Sequence, residues 1–533
     1  MRVVGGVSSL ILAIAATGAA GGCSKLVGVD LTVVEPCGQE GRTRNGVNSF
    51  LLQSTGSTAD GAVSFVANDQ ASIAVGLGDK VTMTLAGFTA DITVGANPTQ
   101  PTAQPVVIGR TMPLSVTEST QDVEATLQLG LVDTFGGPRA ADDTCSQLDN
   151  GQPVAGRHAH TATFIPVVNK VLIAGGAVFN ADGSETFLRT AELYDPATGA
   201  FAALPDLPGP RAYHTATALP DGRVVIAGGL SPINQAVSAI ISGLIVDVSA
   251  VDAPYADIQL GEPRAHHTAT LLGDVNMLVL IGGCKGVGCD TESASGTSTS
   301  SFGSTVEIID TATFNITKLP QGVLATPRAM HTAVAFPNGA RGLIVVAGGL
   351  NANGALKSVE LIQVSTNTLA NVYSGDDLPT PLVRHQMTKR GEQYLITGGQ
   401  TSAPGGVLDD TAAPVATVTL CNPVNTAGAC TNLENMITPR FGHQAALLVD
   451  SQILVVGGYV EGQIVAERFN SAAVPQWSPT GVGRALEARQ RATLTMLGGD
   501  VGTGAINQLL YTGGHTGLLP YTTRATADLY FGR

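Results

Sequence analysis

Charge is scarce in this sequence. Only 13% of its 533 residues are Asp, Glu, Lys or Arg, and Lys and Arg together number 28. Helix-rich proteins need charged outer faces, so the shortage excludes a long-helix architecture. The balance is acidic, at a net charge of −14. Nucleic-acid binding needs clustered cations against phosphate, and no basic cluster stands out, so no nucleic-acid partner is expected. Trp occurs once. A GxSxG elbow, an HExxH pair, a P-loop and a Ser-x-Asp-x-Gly-x-Thr-Trp box are all missing. The sequence therefore offers no catalytic residue, no cofactor and no metal site. Beyond residue 22 no apolar run is long enough for a transmembrane helix.

What is present is β-forming. Gly numbers 65, and Thr, Ser, Val and Ala abound, as in an all-β protein with many turns. Residues 1–22 read as an export signal: Arg2, then the apolar run Val3–Ala16, then small residues up to Cys23. The string TGAAGGC resembles a lipobox, with Ala20 where Leu is usual. That resemblance implies lipid attachment at Cys23 and a membrane anchor; ordinary cleavage near Ala19 or Ala20 is the alternative. Six other cysteines remain, an even number suited to disulfides in an exported chain. Cys284 and Cys289 would close a small loop, and Cys421 and Cys430 flank a hairpin turn. Cys37 and Cys145 are left to each other, although spacing alone does not fix connectivity. A zinc site is disfavoured, because no Cys pair stands close to a second pair or a His.

The dominant feature is a repeat of roughly 50 residues, beginning at Arg157. RHAHTATFIPVVNKVLIAGG is followed by TAELYDPATGAF. RAYHTATALPDGRVVIAGG starts at Arg211, RAHHTATLLGDVNMLVLIGG at Arg264 and RAMHTAVAFPNGARGLIVVAGG at Arg328. Weaker copies begin at Arg384, Arg440 and Arg489. The doublets run from Gly175-Gly176 to Gly513-Gly514. Each unit reads as four strands: the HTAT stretch, an apolar run ending in Gly-Gly, an AELYD-like strand, and a strand with an apolar anchor. Phe201, Phe314, Leu369 and Trp477 are the anchors. A sheet with two apolar faces must stack on its neighbours, which makes a propeller. The last unit, ending ATADLYFGR, lacks its fourth strand. The segment Asp143–Leu148 is expected to supply it beside Leu529.

The doublet, the Glu-x-Tyr-Asp-like strand and the aromatic together resemble the kelch superfamily, with Phe or Leu replacing most of the usual Trp. The resemblance implies an all-β chain with a seven-bladed kelch-type β-propeller over residues 143–533. Before it, residues 26–135 show short alternating strands and read as an immunoglobulin-like β-sandwich, either a spacer or a ligand-binding module. Some kelch-fold proteins are copper radical oxidases, so an oxidase or sugar-modifying enzyme is one alternative, and a purely structural envelope component is another. The leading expectation is a cell-envelope lipoprotein that binds a protein or glycan. His160, His214, His267, His331 and His443 recur at one repeat position, replaced by Met387 and Ala492 in two units. A side chain repeated in this way is expected to bond neighbouring strands rather than hold a metal. His515, after the last doublet, stands outside that pattern and is a candidate for the central channel. The loops after each doublet (177–190, 230–242, 285–304, 400–414) are longer than the others and mark the variable face.

Overall fold

The computed structural model describes residues 2–4, 7–10, 27–35, 46–57, 62–66, 74–75, 77–89, 105–112, 114–117, 120, 122–132 and 134–136 in the N-terminal part. From residue 156 to 532 it describes all but short internal breaks at 234–235, 251–253, 287–300, 320–322, 339–340, 366–367, 375–376, 402–412, 424–429, 461–463, 471–475, 481–485, 498–506 and 517–521. These residues are all-β, apart from one 3-10 turn at Gly273–Val275. Among them no helix is long and apolar enough to cross a membrane. Cys23, Cys37, Cys145, Cys289 and Asp143–Leu148 lie outside the described residues.

Among the described residues the C-terminal region forms seven four-stranded antiparallel sheets. In the first, Thr161–Ile165 pairs with Lys170–Ala174, then Ala191–Asp195, then Ala200–Leu204. The first strands of the others are Thr215–Ala218, Thr268–Leu272, Thr332–Asn338, Gln386–Arg390, Gln444–Leu447 and Thr493–Leu497. Each first strand contacts the next, and the seventh contacts the first again. The sheets therefore surround a common axis. Second strands such as Met277–Ile281 are buried along their whole length, because both faces meet a neighbouring sheet.

The Gly-Gly doublets link the sheets. The second glycine's N–H donates to the carbonyl at the start of the next sheet: Gly176 to Arg211 at 2.8 Å, Gly229 to Arg264 at 2.9 Å, and so on round to Gly514, which donates to Arg157 at 2.8 Å. Gly175 and Gly176 sit at φ +60° and +102°, and a Cβ on either would fall within 3 Å of the Arg211 or His158 carbonyl oxygen. Only glycine fits both the left-handed backbone and the close approach.

Two expectations are corrected. The seventh sheet does take its outer strand from upstream, but from Thr134–Gly136, where Thr134 pairs with Phe531 and Gly136 with Leu529. A three-residue edge strand carries no period that the sequence would reveal. Phe314 lies in a left-handed turn (φ 59°) before the strand Ile316–Lys318, with the Arg223 guanidinium 4.4 Å above its ring. Phe201 and Trp477 are buried anchors on fourth strands.

The described residues of 2–132 form two further sheets, with one core among them. Val27–Val34 pairs in parallel with Asp122–Gln128. Ser49–Thr55 lies between Ala62–Val66 and Gly78–Phe88, with Val107–Arg110 on the far side of the latter.

Candidate binding face on the ring axis

Each sheet opens with a five-residue pattern, and the structure gives the positions that recur in most sheets one task each. The first is a buried Arg. In the third sheet Arg264 Nη2 bonds Glu307 Oε1 at 2.6 Å, and Nη1 donates to the Gly282 carbonyl at 2.9 Å. Arg157–Glu192, Arg328–Glu360, Arg440–Glu467 and Arg489–Asp528 repeat the pair. The carboxylate stands on the third strand, so each pair ties the sheet's entrance to its middle.

The fourth position is the His, whose ring reaches the previous sheet. His214 Nε2 bonds Thr161 Oγ1 at 3.0 Å, His267 bonds Thr215 and His331 bonds Thr268, both also at 3.0 Å. His443 bonds Thr397 at 2.9 Å. His160 bonds Thr493 at 3.1 Å, which closes the series between the seventh and first sheets. Burial lowers all these histidines; His214 falls to about 3, with Arg211 adding to the effect. They are neutral structural stitches. In the fifth sheet the stitch is His385, bonded to Thr332 at 2.8 Å, and not Met387. Arg384 draws the eye to the wrong register, because Leu382 occupies the place of the clamping Arg. The seventh sheet has Ala492 instead, and the Tyr511 hydroxyl packs against Gly457 where a His would sit.

The third position faces the axis. Ala159, Tyr213, His266, Met330, Arg384, Gly442 and Arg491 all have φ between 52° and 62°. Ala159 N–H donates to the Arg491 carbonyl at 3.0 Å, Tyr213 to Ala159 at 2.9 Å, His266 to Tyr213 at 3.3 Å and Met330 to His266 at 2.9 Å. These bonds run round the axis. Left-handed backbone is unfavourable for six of these seven residues, and such strain concentrates where side chains must be aimed.

The loops after the doublets fold into small ribbons, such as Ala177–Phe179 with Glu185–Phe187 and His515–Thr516 with Thr522–Thr523. Neighbouring ribbons touch: Phe179 N–H donates to Thr523 Oγ1 at 3.0 Å. Where the first, second and seventh sheets meet, ribbon and axis residues converge. Arg491 Nη1 bonds Glu185 Oε1 at 3.0 Å and also bonds the Tyr213 hydroxyl. Tyr213 donates to Glu185 at 3.2 Å. The His158 ring stacks on Phe179 at 4.3 Å, and His515 lies edge-on to both. Burial and the Arg491 charge hold His158 and His515 well below the usual imidazole range, so both are neutral donors or acceptors. His515 thus joins this group through its contacts with His158 and Phe179. Sequence reasoning missed His158, Glu185, Tyr213 and Arg491. Their signal was available: they sit where otherwise repetitive units differ.

Cys421 and Cys430 form a disulfide across the third and fourth strands of the fifth sheet. Cys284 is also disulfide-bonded. Among the described residues no group of three His, Cys, Asp or Glu side chains is placed to hold a metal.

The fold and site define a class: an all-β ring of stacked sheets with an axial polar cluster. No family model matches the chain, and no curated protein matches its sequence. The solved structures similar to it include two at low identity. One is the structure of YjhT, at 12% identity, covering 62% of this chain and 99% of that one, with a TM-score of 0.44. The other is a novel fungal alcohol oxidase with catalytic diversity among the AA5 family, in complex with copper. It is 14% identical, covers 71% of this chain and 75% of that one, and has a TM-score of 0.48.

Proposed function

We propose that this chain is a binding scaffold of the cell envelope: a seven-bladed kelch-type β-propeller behind an immunoglobulin-like β-sandwich, exported and anchored by lipid at Cys23. It takes a protein or glycan ligand on the ribbon-bearing face, at the axial cluster. One observation supports this reading above the others. The first, fourth and fifth positions of the opening pattern keep Arg, His and Thr in most sheets, whereas the third carries Ala, Tyr, His, Met, Arg, Gly and Arg in turn. Folding needs the shared positions. A rigid, left-handed ring that carries a different side chain at most of its places is suited to recognition. The cluster combines aromatic faces with a cation, a carboxylate and a hydroxyl, the mixture that orients a polar ligand.

The test uses the full chain on an array of defined oligosaccharides and on a panel of purified envelope proteins. Binding should be saturable and should fall at least tenfold in Arg491→Ala and in Tyr213→Phe. It should persist in Lys389→Ala, a change remote from the cluster. Binding that survives both cluster variants moves the site off the axis. Absence of any saturable ligand on either panel counts against the scaffold reading.

A further inference from the structure

We infer that the N-terminal sheets are the lock of the ring, not a detachable spacer. The sheet built on Ser49–Thr55, Gly78–Phe88 and Val107–Arg110 is apolar on both faces. Leu52, Met83 and Leu85 point into the N-terminal core. Leu51, Ala86, Phe88 and Ile108 alternate with them and lie on the opposite face, in agreement with the two-residue period of a strand. Leu51 and Ile108 both stand opposite Ala86, so three of these residues form one row across three strands.

In an independent sandwich that outer row would meet water and be polar. Here it is buried, and it belongs to the same apolar core as Val171, Ile173 and Tyr194 of the first ring sheet and Leu497, Leu510 and Leu529 of the seventh. Two N-terminal strands, Val107–Arg110 and Gly130–Leu131, lie directly against Ala527–Gly532. The Phe531 ring rests on the Gly130 backbone, where a Cβ would meet it at 2.2 Å. The chain then continues through Leu131 and Val132 into the closing strand Thr134–Gly136. That strand pairs only three residues. So short a pairing holds an edge weakly, and the apolar row behind it supplies the hold. Ring closure is thus an inter-domain event, and the seam between the first and seventh sheets is stable only while the N-terminal sheets are folded. This holds whether or not the ribbon face binds a ligand.

Hydrogen exchange on the full chain tests it, in Ile108→Ala (the seam face), Leu85→Ala (the N-terminal core) and Leu278→Ala (the third ring sheet). Should Leu85→Ala fail to fold, Leu85→Val replaces it. Ile108→Ala and Leu85→Ala should both speed exchange at least tenfold in Thr493–Leu497, Asn507–Thr512 and Lys170–Ala174. Both should leave Arg341–Ala347 at its original rate. Leu278→Ala should spare the N-terminal strands. The inference is overturned if either N-terminal variant speeds exchange only within residues 27–132. A uniform rise over all seven sheets overturns it equally.

Discussion

The fifth and sixth sheets are neighbours with the same strand order, yet they hold themselves together differently. The sixth buries a charge pair. Arg440 bonds Glu467 at 2.6 Å, and Glu467 also accepts the Ile437 and Thr438 N–H groups at 2.7 and 3.1 Å. Both side chains are fully buried. In the fifth sheet Leu382 takes the Arg place and Thr419 the Glu place, and a disulfide joins the strands that follow. Cation and anion are absent together. That is what electrostatics in a low-dielectric interior demands: removing one partner strands the other's charge, whereas removing both can be neutral. The second sheet is the intermediate case. Arg211 remains, but Leu244 stands at the carboxylate's place, paired with Ile226 as Glu192 is with Ile173. Arg211 settles for the Ser242 hydroxyl and carbonyl, and burial draws it down to about 10.

The comparison can be broken or sharpened in steps. Glu467→Ala should cost most, about 3–5 kcal/mol, because it leaves Arg440 buried and uncompensated. The double change Arg440→Leu with Glu467→Thr copies the fifth sheet and should recover most of that loss. If chemical denaturation shows the double variant as unstable as the single, the pair does not act as a unit. Next in size is the disulfide. Cys421→Ser with Cys430→Ser closes no loop and should cost about 2–3 kcal/mol in the chain-entropy model, read as a lower midpoint under oxidising conditions only.

Acid comes third. The stitching histidines are neutral when folded, with His385 near 4, whereas the unfolded chain binds protons below about 6.5. Unfolding therefore takes up protons between those values, and stability is full above pH 6.5 and falls as pH drops toward 4. Each such His contributes about 1.4 kcal/mol per pH unit in that window. Thermal melts of His385→Gln should show a shallower decline, and an unchanged slope would count against the stitch. The smallest effect should come from Arg211→Leu, within about 1 kcal/mol of the parent, since no buried carboxylate is abandoned there. A loss as large as that of Glu467→Ala would show that a lone buried Arg is itself a clamp.

The doublets were legible because their backbone admits only glycine, so chemistry is written directly into sequence. The His stitches were legible for the same reason in the units that keep both Arg and His. Register failed where a clamp changed identity: Leu382 hid the start of the fifth unit, and Arg384, an axial residue, imitated it. Distance to the doublet carried the correction. His385 precedes Gly398 by 13 residues, near the 14 between His214 and Gly228, whereas Met387 precedes it by only 11. The closing strand was misplaced by several residues, because a short edge held from behind by other strands needs no pattern of its own. The axial cluster was invisible for a different reason. Its members come from the first, second and seventh units, and only ring closure brings Arg491 to Glu185.

The left-handed positions around the axis have a consequence for how such a molecule diversifies. Their backbone strain is already absorbed by bonds between neighbouring sheets, so exchanging one side chain there disturbs neither clamp, stitch nor doublet. Seven sockets of equal geometry can be refilled one at a time while the frame stays constant. A ring of this kind can present new surfaces by point substitution alone, without insertions, and a laboratory library restricted to those sockets, with proline and β-branched residues left out, would retain most of its folded members.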